Sequence, residues 1–119
     1  MSKKEVIKSI RDLSQQVMPV RAQVILFGSQ ARNEAHTESD WDILILLNKK
    51  EKVNNQDFDE VAFPLVELGW KLGTMINPII YSKDDWEKRD FTLFYKNVKH
   101  KMEYCYGIKY RREKSYFKL

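Results

Sequence analysis

Cysteine, histidine, proline and glycine are all scarce in this chain, and each scarcity excludes a class of protein. Cys105 is the only cysteine among 119 residues, so an intrachain disulfide, a zinc ribbon and a thiol pair are excluded. His36 and His100 are the only histidines, which leaves little for a histidine-based metal site. With 4 Gly and 3 Pro, the composition is neither collagen-like nor of low complexity.

Long apolar stretches are missing as well. The longest run covers five residues, 43–47, whereas a membrane-spanning helix needs ~20. The N-terminal residues lack the hydrophobic stretch and the cleavage site of a signal peptide. With 43% hydrophobic and 13% aromatic residues, the sequence instead predicts one globular domain, a cytoplasmic location and no membrane partner.

The net charge of +4 is unevenly distributed along the chain. Residues 1–95 hold 13 Lys and Arg against 15 Asp and Glu, whereas residues 96–119 hold 8 against 2. We therefore divide the chain into a domain over residues 1–105 and a basic C-terminal tail over residues 106–119. The tail is interleaved with aromatic residues, so it is either a solvated terminus or a contact for nucleic acid or an acidic partner surface.

The order of apolar patterns predicts a small α/β domain. Apolar spacings of three and four indicate amphipathic helices, whereas uninterrupted apolar runs indicate buried strands. Pro64 should kink its helix, and Pro78 should place its strand at a sheet edge or mark a bulge. The predicted elements are a helix over 2–18, a strand over 24–27, a helical turn over 30–33, a strand over 40–47, a helix over 58–72, a strand over 75–81, a short helix through 84–86 and a helix over 92–105.

Two short motifs between the first two predicted strands carry the chemistry. Gly28 lets the backbone turn sharply, and Ser29 then begins a helical turn whose N–H groups and hydroxyl suit phosphate oxygens. Asp40 and Asp42 are two residues apart on a strand, so both carboxylates face one side and can bind one hard cation or two adjacent ones. If the phosphate cradle is to meet these carboxylates, the two strands must be antiparallel. Such a site is the minimum needed for magnesium-assisted phosphoryl or nucleotidyl transfer.

The pattern of Gly28-Ser29, ten residues and then Asp40-Trp41-Asp42 resembles the nucleotidyltransferase superfamily of DNA polymerase beta. It is most similar to the minimal nucleotidyltransferases, or MNT proteins, that pair with HEPN proteins in prokaryotic toxin–antitoxin modules. The resemblance implies a polymerase beta-like nucleotidyltransferase fold, an α/β domain with a small mixed sheet flanked by helices. It also implies a nucleoside triphosphate, ATP in the first place, as substrate, Mg²⁺ as cofactor and a HEPN-family protein as partner.

Roles for individual residues follow from the resemblance. The implied nucleotide-binding residues are Gly28, Ser29 and Arg32, and the implied catalytic and magnesium-binding residues are Asp40 and Asp42. Two positions depart from the family pattern. Asn33 replaces a frequent glycine, which is a mild change because Asn tolerates unusual backbone angles. The third carboxylate of the family belongs on the following strand, where this chain offers Asn77, an uncharged metal ligand.

Several functions remain open at the level of sequence. The leading interpretation is magnesium-dependent transfer of AMP from ATP to a hydroxyl on a partner protein, attenuated by the lack of a third carboxylate. The alternative is a non-catalytic nucleotide- or partner-binding module of the antitoxin type, which Asn77 favours. Members of the resembled superfamily that transfer to a small molecule such as an aminoglycoside carry an added helical domain, for which the 38 residues after Tyr81 leave little room. Nucleic-acid binding by the basic tail is the weakest interpretation.

Overall fold

A four-stranded mixed sheet forms the centre of the protein. The computed structural model describes residues 2–33 and 39–107. The sheet has the order β3-β2-β1-β4, in which β1 is antiparallel to β2 and β4, and β2 is parallel to β3. This confirms the predicted α/β class, the antiparallel first pair and the edge position of the strand that contains Pro78. The strands are β1 Gln23–Phe27, β2 Trp41–Leu47, β3 Ile76–Ser82 and β4 Glu103–Tyr106.

Helices cover both faces of this sheet. The helices are α1 Lys3–Val17, α2 Gly28–Arg32, α3 Asn55–Asp57, α4 Phe63–Leu72, α5 Lys83–Glu87 and α6 Leu93–His100, with a π-helical segment Phe58–Ala62 between α3 and α4. Ser2 caps α1, because its hydroxyl accepts from the Glu5 N–H at 3.2 Å while the Glu5 carboxylate accepts from the Ser2 N–H at 2.8 Å. Within the described residues, no helix combines the length and the apolarity needed to cross a bilayer.

Alternate residues of β2 point into two separate apolar cores. Ile43 and Ile45 are fully buried in one core, together with Ile10 of α1 and Leu65 of α4. Leu44 lies on the opposite face, in a second core that includes Trp86 of α5 and Val98 of α6. The apolar run in the sequence is uninterrupted because β2 is covered on both of its faces.

Pro64 does not lie within one continuous α-helix. The π-helical segment precedes it, and the Phe63 N–H bonds to the Phe58 carbonyl five residues back. Pro64 then falls in the first turn of α4, where a missing N–H is tolerated. The wider π-turn thus replaces the kink predicted for this position.

The prediction of a last helix over residues 92–105 is wrong at its C-terminal end. Thr92 caps α6, but the helix ends at His100 and residues Glu103–Tyr106 form β4. This strand pairs with β1, which would otherwise leave a row of unpaired N–H and C=O groups at the sheet edge. Of the predicted basic tail, Tyr106 belongs to β4, and residues 108–119 lie outside the described residues.

The ion pair between Lys49 and Asp57 makes the stability of the fold depend on pH. Lys49 Nζ lies 2.8 Å from Asp57 Oδ2, which also accepts from the Asn54 N–H at 2.9 Å. The pKa of Asp57 lies below its usual range, chiefly because the carboxylate accepts a hydrogen bond from Lys49. The hydrogen bond from the Asn54 N–H lowers the pKa further. Because the pKa of Asp57 is lower in the folded than in the unfolded chain, the ionised carboxylate stabilises the fold at pH values above the unfolded pKa, which is near 3.8. This stabilisation is lost as the pH falls through the folded pKa.

We therefore expect Asp57→Asn to lower the melting temperature at pH 7 by roughly 4 °C, since it removes both the ion pair and part of the helix cap. Thermal unfolding followed by circular dichroism from pH 7 to pH 3 measures this difference. The two curves should converge toward the acid end. A difference that stays constant down to pH 3 would contradict the assignment of the effect to the Asp57 charge.

Candidate active site

The chain reverses sharply at Gly28, directly after β1. Gly28 has a φ of +77°, in the left-handed region that favours glycine, and α2 begins there. A Cβ at this position would overlap Asp42 Oδ2 and lie 3.3 Å from Asp42 Cγ. The Gly28 backbone and the Asp42 carboxylate are therefore in close contact, which only glycine permits.

Strand register brings the predicted site residues to one end of the sheet. Phe27, the last residue of β1, pairs with Asp42 in the antiparallel ladder, and Asn77 of β3 pairs with Asp42 in the parallel ladder. Asp40 lies just before β2 and is exposed. The structure thus brings together Gly28, Asp40, Asp42 and Asn77.

The amide of Asn77 lies between the two carboxylates. Asn77 Nδ2 donates to Asp40 Oδ2 at 2.9 Å, and the Asn77 side chain is also hydrogen-bonded to Asp42. Ionised carboxylates only accept, so the amide must present its NH₂ to them. A donor group therefore occupies the place where a third carboxylate would add negative charge.

Partial burial raises the pKa of Asp42 above its ordinary range, and the neighbouring Asp40 charge raises it further. The hydrogen bond from Asn77 and the positive charge of Arg32 act in the opposite direction. This balance is typical of a site in which two carboxylates repel each other and a cation would relieve the repulsion.

Ser29 and Arg32 lie on α2, within one turn of Gly28. Ser29 is half-buried and Arg32 is exposed. The residue that precedes α2 is Phe27, whose side chain cannot accept a hydrogen bond from the first turn. The N-terminus of α2 therefore has no side-chain cap, a condition that suits an anionic ligand.

Two further contacts fix this region, and the sequence indicated only one of them. Asn33 ends α2 in the left-handed conformation, at a φ of +59°, as its tolerance of unusual angles predicted. Its side-chain oxygen accepts from Lys3 Nζ at 3.0 Å. Gln30 was not predicted: it is buried, and its Nε2 donates to the Ser39 carbonyl at 3.2 Å, which ties α2 to the residue before Asp40. His36 lies outside the described residues.

The carboxylates face the side of the sheet that α5 and α6 cover. The side chain of Asp42 lies on the same face of β2 as those of Leu44 and Leu46, which belong to the core beneath α5 and α6. Phe27, the register partner of Asp42, packs against Phe94 of α6, with their ring centroids 5.5 Å apart. Any ligand bound at the carboxylates therefore lies on this face.

The donor set fits a hard divalent cation. Two carboxylates and one amide supply oxygen ligands, the type that Mg²⁺ prefers, and substrate phosphates commonly complete such sites. Among residues 2–33 and 39–107, no three His, Cys, Asp or Glu side chains form a cluster that could hold a metal ion. A cation here would therefore depend on Asp40 and Asp42 and on its nucleotide.

Comparison with known proteins agrees with this geometry. The profile of the nucleotidyltransferase domain family matches residues 3–104. Two proteins of Methanocaldococcus jannaschii, both assigned as protein adenylyltransferases, are similar in sequence. One is 40% identical over 75 residues, which cover 63% of this chain and 68% of the relative. The other is 36% identical over 80 residues, which cover 66% of this chain and 79% of the relative.

Two solved structures share the fold. One is a toxin–antitoxin protein crystallised with AMP-PNP, with a TM-score of 0.60 and 18% identity over 98% of this chain and 81% of that chain. The other is a mutant of the toxin–antitoxin MntA-HpeT, with a TM-score of 0.59 and 16% identity over the same shares of the two chains. The match to residues 3–104 shows that this chain belongs to the nucleotidyltransferase domain family, whose members are enzymes of nucleotidyl transfer.

Proposed function

We propose that this protein transfers AMP from ATP, in a Mg²⁺-dependent reaction, to a hydroxyl group on a partner protein. The observation that carries the proposal is the convergence of the Gly28 turn with Asp42 and Asn77 at one end of the sheet. The relatives assigned as protein adenylyltransferases support AMP as the transferred group and a protein as the acceptor. The toxin–antitoxin structure with AMP-PNP supports an adenine nucleotide and a protein partner, for which the HEPN family is our candidate.

Each of the predicted site residues has a defined part in this proposal. Ser29 and the first turn of α2 bind the phosphates, and Gly28 allows these phosphates to approach the carboxylates without a side chain in between. Arg32 adds positive charge beside the anionic nucleotide. Asp40 and Asp42 hold the cation, which when bound offsets the charge that develops on the attacking and leaving oxygens.

Asn77 limits the reaction. Its amide can contribute an oxygen ligand only after its NH₂ turns away from Asp40, and it cannot accept the proton of an attacking hydroxyl. Asp84 and Asp85 cannot replace it, because they lie on α5, which follows the opposite end of β3. We therefore expect the isolated chain to bind ATP but to transfer AMP slowly, or to need a carboxylate from its partner.

Asn77→Asp tests this assignment. The added carboxylate should raise pyrophosphate release from ATP roughly tenfold or more, since a general base typically contributes ~10²-fold or more. ATP affinity, measured by calorimetry in Mg²⁺, should change little. Asn77→Ser is the control, because it removes the amide without adding a charge and should not accelerate the reaction.

Fast pyrophosphate release by the unmodified chain alone, unchanged in Asn77→Asp, would contradict the limiting role of Asn77. ATP binding without pyrophosphate release in both proteins, with or without a partner, would instead favour the non-catalytic antitoxin-like module.

A further inference from the structure

Two pairs of exposed apolar side chains lie on opposite sides of the sheet. Phe63 and Trp70 lie on α4 and pack against each other, with 38% and 59% of their surface exposed. Phe91 and Leu93 lie at the start of α6, with 75% and 73% exposed. Since α4 covers the face away from Asp42, and α6 covers the face toward it, Phe91 and Leu93 are the pair on the side of the site.

The turn that carries Phe91 and Leu93 is firmly held by its central residue, Thr92. The Thr92 N–H and hydroxyl both donate to the Arg89 carbonyl, at 2.9 and 2.7 Å. The same hydroxyl accepts from the Tyr95 N–H at 3.1 Å. The two apolar side chains are therefore held in solvent by a well-bonded turn.

This turn adjoins the candidate active site. Phe94, the residue after Leu93, packs against Phe27, and the centroids of the two rings are 5.5 Å apart. Phe27 immediately precedes Gly28 and pairs with Asp42. Leu93 therefore immediately precedes, in the chain, a residue that packs against the end of β1 where the site begins.

The charge around the turn indicates which acceptor fits. Residues 91–101 contain three Lys and no Asp or Glu, whereas α5 carries Asp84, Asp85 and Glu87, and Asp85 lies 3.4 Å from Arg89. The basic side chains on the α6 side of the turn would attract acidic groups and repel a polycationic small molecule. A bound segment with apolar side chains and neighbouring carboxylates would complement both the apolar pair and the basic side chains of α6.

We infer that Phe91 and Leu93 dock the acceptor, and that the acceptor is a polypeptide segment with an apolar side chain and acidic residues close to the hydroxyl that receives AMP. This inference rests on the proposed function, since it places the acceptor on the carboxylate face. The apolar side chain of the acceptor packs on Phe91 and Leu93 while its hydroxyl reaches the nucleotide. A sugar-based acceptor or a second copy of this chain would give a different outcome in the test below.

An array of synthetic peptides tests the docking surface. Each peptide carries one central Tyr, Ser or Thr, with flanks that are apolar and acidic, apolar and basic, or polar and neutral. The labelled protein is applied with Mg²⁺ and α,β-methylene-ATP, and retention is measured. We expect preference for apolar and acidic flanks, and a fall in retention of roughly tenfold in Phe91→Ser with Leu93→Ser.

Phe63→Ser with Trp70→Ser is the control, because it removes an exposed apolar pair from the opposite face and should change retention less than twofold. All four positions are exposed, and circular dichroism of each variant verifies that it is folded. Equal losses in the two double variants, or retention without preference among flanks, would overturn the docking surface.

ATP titration and pyrophosphate release on the same samples separate this inference from the proposed function. ATP binding and pyrophosphate release without peptide preference would overturn the docking surface alone, and would favour a sugar-based acceptor or a second copy. Peptide preference that depends on Phe91 and Leu93, in a protein that binds no ATP, would support the docking surface and contradict the proposed function.

Discussion

Replacement of Asp40 and Asp42 together by Ala should abolish Mg²⁺-dependent ATP binding while the fold remains intact. The Asp42 carboxylate touches the Gly28 turn, Asp40 is joined to it through Asn77, and the cation depends on both carboxylates. Loss of two charged contacts of about 1.5 kcal/mol or more each corresponds to a fall in affinity of roughly hundredfold or more.

Folding should not suffer, because burial raises the pKa of Asp42 and its charged form is therefore disfavoured in the folded protein. Calorimetric titration of ATP in the presence and absence of Mg²⁺ measures the affinity, and a thermal scan verifies the fold. Asp84→Ala with Asp85→Ala is a suitable control, since it removes two carboxylates at the other end of β3. Unchanged ATP binding by the Asp40 and Asp42 double variant would show that the site has been assigned wrongly.

Gly28→Ala should impair both stability and ATP binding. The substitution places a Cβ in the left-handed region, which costs roughly 1 to 2 kcal/mol, and the same atom overlaps the Asp42 carboxylate. The carboxylate must then move away from its position beside the turn. We expect the ATP affinity to fall at least tenfold, since positioning errors of this size at a binding site carry large losses.

Gly73→Ala provides a matched control for backbone strain. Gly73 ends α4 at a φ of +75°, close to the +77° of Gly28, but an added Cβ there would meet nothing within 4 Å. This variant should lose about 1 kcal/mol of stability and keep its ATP affinity. Equal ATP affinities for the two variants would contradict the claim that the contact between Gly28 and Asp42 shapes the site.

Much of the site was predictable because it is encoded within 20 residues of sequence. The glycine that ends an apolar run and the pair of carboxylates that begins the next one each have a local physical meaning. The requirement that they meet fixed the antiparallel direction of β1 and β2, and the ladder confirms it. Gln30 could not be found in this way, because its burial depends on how α2 packs against the segment before Asp40.

The C-terminal strand could not be predicted from periodicity. Phe94, Val98 and Met102 continue a helical spacing, and all three do pack in the core beneath α5 and α6. Cys105 extends the same spacing but lies in the opposite core, since β4 alternates its side chains between the two faces. The partner of β4 is β1, some eighty residues earlier in the sequence, and a pairing of such long range has no local signal.

The phosphorus atom that is attacked distinguishes nucleotidyl transfer from phosphoryl transfer. The protein is incubated with Mg²⁺ and ATP labelled at the α-phosphate, with and without a purified partner, and the products are separated by chromatography. The account predicts pyrophosphate together with labelled AMP, free or attached to protein, and the loss of both products in the Asp40→Ala, Asp42→Ala variant. Labelled ADP with inorganic phosphate would contradict it, because attack would then fall on the terminal phosphate.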